Sequence, residues 1–172
     1  MFNYGSFKLL LLKVFIGIFL LSFSFMLFVS IYTYNPNDPG IGRLVGSSEI
    51  TNLFGFWGAI FSSIFFTLYG KTSFFLVIYL FYLGVFMFLG LTLKKPFLKI
   101  LLILLSVTLF NISLLFQQGL ETDTGLIPKI LFDIYKSYFP FLVDDFFYRS
   151  LNIISFTLIS IVLLIYCFSI KV

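Results

Sequence analysis

Charged side chains are so widely spaced in this chain that the intervals between them set its fold class. Lys13 to Asp38, Glu49 to Lys71, Lys71 to Lys94, Lys99 to Glu121 and Arg149 to Lys171 each enclose more than about 20 uncharged residues, the length one helix needs to cross a hydrocarbon core. Only 10% of residues are charged and 60% are hydrophobic, far from the average of water-soluble domains, so lipid is the solvent for most of the chain. The expected fold is all-α: a polytopic membrane helix bundle forming one transmembrane domain over residues 1–172.

The intervals are not equivalent. Residues 55–69 make about 22 Å of helix at 1.5 Å per residue, short of a core about 30 Å thick. This segment is expected not to cross, and its Gly55, Gly58, Ser62 and Ser63 suit close packing in a re-entrant or interfacial position. Four crossings remain, at about 14–33, 72–93, 98–116 and 151–170, with outer loops at 34–54 and 117–150. No cleavable signal peptide is expected, because the first apolar run continues to Thr33 and meets Tyr34-Asn35-Pro36 without an A-x-A-like site.

With four crossings and the amino terminus inside, Lys8, Lys13, Lys94, Lys95, Lys99 and Lys171 fall on the cytoplasmic side with no acid among them. Arg43, Lys71, Lys129, Lys136 and Arg149 fall outside together with all seven acids. That asymmetry is what retention of Lys and Arg in the cytoplasm produces, and a fifth crossing would reverse it. Both termini are therefore expected to be cytoplasmic. In the second outer loop Ile127, Ile130, Leu131, Ile134 and Tyr138 recur at helical spacing opposite Lys129, Asp133, Lys136 and Ser137, which predicts an amphipathic helix on the outer face. Pro128 fits its first turn and Pro140 its end.

Several kinds of chemistry lack their side chains. There is no histidine, and the single Cys167 lies in the last apolar segment, so no His-metal or zinc-thiolate site is expected, no disulfide within the chain, and no cofactor. With Lys99 counted in the cytoplasmic loop of Lys94 and Lys95, the four spans are read as free of ionisable residues, which removes the simplest mechanism of proton or ion coupling. Gly70-Lys71-Thr72 imitates the end of a phosphate-binding loop, but the pattern needs glycine where Phe65 stands and a strand before it. Asp144-Asp145 has no visible nucleophile or metal partner and is read as a solvated turn. Despite a net charge of +4 the Lys and Arg residues are scattered, so direct nucleic-acid binding by this chain is not expected.

Tyr34-Asn35-Pro36-Asn37-Asp38-Pro39, at the exit of the first helix, resembles the Y-N-P-x-D-P signature that follows the first span of FtsK-type bacterial DNA translocases. Asn52-Leu53-Phe54-Gly55, then Gly58-Ala59, then Gly70 are similar in order and spacing to that family's N-L-x-G, G-A and F-G stretch. The likeness is to the amino-terminal four-span membrane domain, clearest from Val14 to Leu93. One departure is Ser63, where the family often has an acid shortly after its G-A pair.

The resemblance implies a non-catalytic anchor and scaffold in the bacterial inner membrane, at the division septum, linking cell division to chromosome segregation. The expected partners are the lipid bilayer, other copies of the chain and division-septum membrane proteins. ATP hydrolysis and DNA movement would belong to a RecA-like motor that this chain lacks. Asn35, Pro36, Asp38 and Pro39 are the candidate outer contact, and Gly55, Gly58, Ala59, Ser62, Ser63 and Gly70 the candidate helix-packing interface. Two other classes share this composition: a small transporter or permeation subunit, which would need a polar path, and a structural subunit of another membrane complex.

Overall fold

The computed structural model describes residues 4–42, 49–91, 94–117 and 123–168. The predicted all-α fold is observed: seven helices are ordered along the described residues, α1 Tyr4–Tyr32, α2 Gly55–Tyr69, α3 Ser73–Phe88, α4 Pro96–Leu115, α5 Leu126–Tyr138, α6 Pro140–Asp144 and α7 Phe146–Phe168. Four stretches are long and apolar enough to cross a membrane: Phe7–Tyr32, Gly55–Phe88, Pro96–Leu115 and Phe146–Phe168. The second of these joins α2 to α3 through a single 3-10 turn at Gly70–Thr72.

That joined stretch is not one rod. Gly70 holds φ +61° and breaks the helix direction. At its start, the Asn52 side-chain amide donates to the Ser30 carbonyl at 2.8 Å, beside the exit of α1. At its end, Thr72 meets Asn111 near the exit of α4. Both ends of α2 thus lie at the same end of the bundle, here called the capped end. The crossing is left to the 3-10 turn and α3, together about 30 Å.

α1 and α3 run antiparallel. Gly17 lies against the backbone of Phe88, Gly84 against Leu21, and Leu27 and Ile31 pack with Val77. Lipid offers helices no hydrophobic drive to associate, so these glycines matter because they let two backbones approach closely. α4 and α7 form the second antiparallel pair, with the Cys167 thiol donating to the Lys99 carbonyl at 3.5 Å and Phe116 stacked on Phe156. Midway, Ser106 and Ser160 each donate to the other's carbonyl, at 2.8 and 2.9 Å. Removing both hydroxyls, as Ser106→Ala with Ser160→Ala, is expected to cost about 1 kcal/mol in detergent unfolding, with the single variants costing less than additively.

The two pairs meet through Leu76, Tyr79 and Leu83 of α3 against Ile103 and Val107 of α4. α5 lies at the capped end, packed by Phe132 and Tyr135 against Phe116. Its Ile130, Leu131, Ile134 and Tyr138 remain exposed on a second apolar face, while Lys129, Asp133, Lys136 and Ser137 form the polar one. A helix with this division of faces suits a membrane interface.

Three features differ from the sequence reading. α1 begins about ten residues before the apolar run, so Lys8 and Lys13 are helical residues, because Lys and Leu favour helix and a long stem lets the ammonium reach polar surroundings. Lys99 sits in the first turns of α4 and is 6% exposed, so the spans are not free of ionisable residues. Pro140 opens a further short helix, α6, at the position where a missing N–H costs nothing. Arg43, Glu121 and Lys171, which the charge count used, lie outside the described residues.

Candidate interaction site at the capped end

The loop after α1 and the entry to α2 are tied together by one carboxylate. Asp38 is 5% exposed, and its two oxygens accept the Thr51 and Asn52 backbone N–H groups, both at 2.9 Å, and the Thr51 hydroxyl at 3.1 and 3.2 Å. Asn35 begins the turn that aims it: its side-chain oxygen accepts the Asn37 N–H at 3.0 Å, and its amide donates to Thr51 Oγ1 at 3.0 Å. The buried Asn52 N–H, which would otherwise be orphaned, is thus met by a charged acceptor, the stronger kind of hydrogen bond.

Asn52 extends the network into the bundle. Its amide donates to the carbonyls of Ser30 and Thr33 and approaches Ser62 Oγ at 3.4 Å, while its oxygen accepts the Phe54 N–H at 3.1 Å at the start of α2. Helix α1 ends with carbonyls that no further turn can satisfy, and Asn52 donates to Ser30 in its last turn and to Thr33 just beyond it. Tyr34 stacks on Phe66, ring centroids 4.3 Å apart, and holds the far part of α2 over α1.

Of the proposed outer contact, Pro36 lies on the surface and Asn35 is half-buried, but Asp38 and Pro39 are buried. Their first role is to fold the loop. The small residues of α2 divide as well. Gly58, Ala59, Ser62 and Ser63 form a buried face: a Cβ on Gly58 would strike Asn52 and Phe54, and Ser63 Oγ accepts the Ile41 N–H at 3.1 Å. That face is occupied within the chain. Gly55 has open space around it and holds φ +59°, so its contribution is a backbone shape. The remaining side of α2 exposes Phe56 and Trp57, side chains suited to the membrane interface.

Gly70 makes a backbone crossing. A side chain there would collide with the Asp123 carbonyl, which accepts the Lys71 N–H at 3.0 Å, and Gly125 at φ +81° sits equally close to the backbone of Leu68 and Tyr69. Beneath the crossing, Asn111 donates to Thr72 Oγ1 at 2.6 Å and to the Tyr69 carbonyl at 3.3 Å. Thr51, Asp123 and Gly125 were not singled out from the sequence. Only Gly125, a glycine just before an amphipathic run, carried a local signal.

Neither decoy assembles chemistry. Lys71 of the Gly70-Lys71-Thr72 turn pairs with Asp123 at 3.3 Å, both side chains largely exposed. Asp145 caps α7, its Oδ1 accepting the N–H groups of Phe147 and Tyr148 at 2.9 and 3.3 Å, and Asp144 lies 4.0 Å from Lys136. Among the described residues no three His, Cys, Asp or Glu side chains converge as metal ligands.

The family model for the 4TM region of DNA translocase FtsK/SpoIIIE matches residues 10–171, nearly the whole bundle. The chain belongs to this family. Comparison with curated proteins and with solved structures returns no match. The two stretches that carried the resemblance, residues 34–39 and 52–55, are tied together in the fold by Asp38, which accepts the Asn52 N–H. The FtsK/SpoIIIE 4TM region is the membrane part of its translocase and not the ATPase motor, and the chain is accordingly a multi-pass membrane protein built on four apolar crossings.

Proposed function

We propose that this chain anchors a DNA translocase in the bacterial inner membrane and serves as a scaffold at the division septum, coupling septum closure to chromosome segregation. Both termini lie on the cytoplasmic side, where the motor that hydrolyses ATP and moves DNA acts. The capped end faces outward and meets division proteins through the surface around Pro36. Copies of the chain associate within the bilayer, through faces other than the small-residue side of α2, and the chain itself does not bind nucleic acid.

The observation that carries this reading is the family match along residues 10–171, which covers all four crossings. Charge asymmetry supports the orientation: Lys8, Lys13, Lys94, Lys95 and Lys99 gather at the end opposite to Asp38, Asp123 and Asp133. A carboxy-terminal fluorescent fusion imaged in dividing cells is expected to give a band at midcell. Uniform fluorescence over the whole membrane would contradict the septal address.

A further inference from the structure

At the end opposite the cap, α3 finishes at Phe88, whose backbone lies against Gly17 of α1. Gly90, at φ +72°, follows and still sits against Leu10 of α1. Beside this contact lies a groove of about 190 Å³, lined by Leu12 and Ile16 of α1 and by Leu83, Phe86 and Met87 of α3. Its wall is almost wholly apolar, and Leu12 and Ile16 on it are exposed.

Lys13 stands at the edge of this groove, with Nζ 3.3 Å from the Gly90 carbonyl. An ammonium carries three donors, and that carbonyl takes one. Leu91 and Pro96 also line the groove, so the exposed Lys94 and Lys95 lie on the turn between two of its walls. Lys95 holds φ +53° directly before a proline, a shape that a non-glycine residue seldom adopts. Lys8 lies further along α1 at the same end. No acid occurs in residues 1–37 or 50–120, the stretches of sequence that hold α1, α3 and α4.

We propose that this groove binds an anionic phospholipid, with one acyl chain against Leu12, Ile16, Leu83, Phe86 and Met87 and the phosphate held by Lys13, Lys94 and Lys95. Charge complementarity selects the occupant: an apolar slot accepts any acyl chain, but Lys13 on its wall, with Lys94 and Lys95 between its lining residues Leu91 and Pro96, favours a headgroup with net negative charge. The site rests on the membrane-spanning architecture alone and stands whether or not the chain reaches the septum.

The test uses the purified full chain and native mass spectrometry, titrating phosphatidylglycerol or phosphatidylcholine of identical acyl chains. The wild type is expected to retain phosphatidylglycerol preferentially, and Lys13→Gln with Lys94→Gln and Lys95→Gln to lower its affinity at least about tenfold without changing that for phosphatidylcholine. Met87→Trp, which fills the groove and keeps every lysine, is expected to weaken the same binding. Removing three cations from the capped end, as Lys129→Gln, Lys136→Gln and Arg149→Gln, is expected to leave it intact. Equal retention of both lipids by the wild type would overturn the proposal without any variant having to fold. Equal loss from the capped-end variant, or an unchanged affinity in Met87→Trp, would overturn it as well.

Discussion

Asp38→Ala is expected to lower the unfolding free energy of the bundle in detergent by about 3 kcal/mol, a large effect for a residue in a loop. Its carboxylate accepts two backbone N–H groups and a hydroxyl in a pocket where Asp38 is 5% exposed. Alanine leaves the Asn52 N–H buried without an acceptor, removes the charged acceptor of the Thr51 N–H and hydroxyl, and frees the link between the exit of α1 and the entry to α2. Asp38→Asn retains one acceptor oxygen but turns an NH₂ group toward another donor, so it is expected to recover about half of the loss at most. Thermal unfolding followed by circular dichroism measures both. A change below about 0.5 kcal/mol in Asp38→Ala would mean that the knot does not hold the capped end together.

Gly70→Ala is expected to cost at least about 3 kcal/mol, from two causes acting together. Gly70 has φ +61° and ψ −147°, a region open almost only to glycine, and a Cβ there would run into the Asp123 carbonyl. Relief requires residues 123–125 to move, which breaks the Lys71 N–H bond to Asp123 and loosens the Thr72–Asn111 contact beneath. Gly55→Ala separates the causes. Gly55 has φ +59° with open space around it, so alanine there pays the left-handed backbone cost alone, about 1 to 2 kcal/mol. Equal losses in the two variants, read from the same unfolding curves, would show that the backbone crossing adds nothing.

The bundle was largely legible in the sequence because its information is local. A run of apolar residues between charges has a length, and length alone separates a span from the short segment 55–69. Gly58, Ala59, Ser62 and Ser63 are small residues at helical spacing, a local pattern that suits close approach, and this side of α2 is buried within the chain. The place of Asp38 was not legible. An aspartate in a loop of Pro, Gly and Asn reads as solvated, and what buries it is a pair of N–H groups 13 and 14 residues along the chain.

Gly125 carries a local signal, as a glycine just before an amphipathic run, but its close approach to the backbone of Leu68 and Tyr69 has no local sign. Pro140 was read as the end of α5 because proline cannot continue a helix, yet the same missing N–H suits the first turn of another. Lys99 was assigned to the turn beside Lys94 and Lys95. Pro96 is a local sign that α4 starts before Lys99, but nothing nearby announces that α7 packs against this residue and brings Cys167 to its carbonyl.

The claim on which the account turns is that α2 begins and ends on one side of the membrane. Leu53 and Lys71 flank it and are exposed. Leu53→Cys and Lys71→Cys, made singly in a Cys167→Ser background, can be treated with a membrane-impermeant maleimide in right-side-out vesicles. Both are expected to label as fully as Asp133→Cys on α5, while Lys95→Cys labels only after permeabilisation. Labelling of Leu53→Cys and Lys71→Cys from opposite sides would make α2 a fifth crossing and contradict the four-span, capped arrangement.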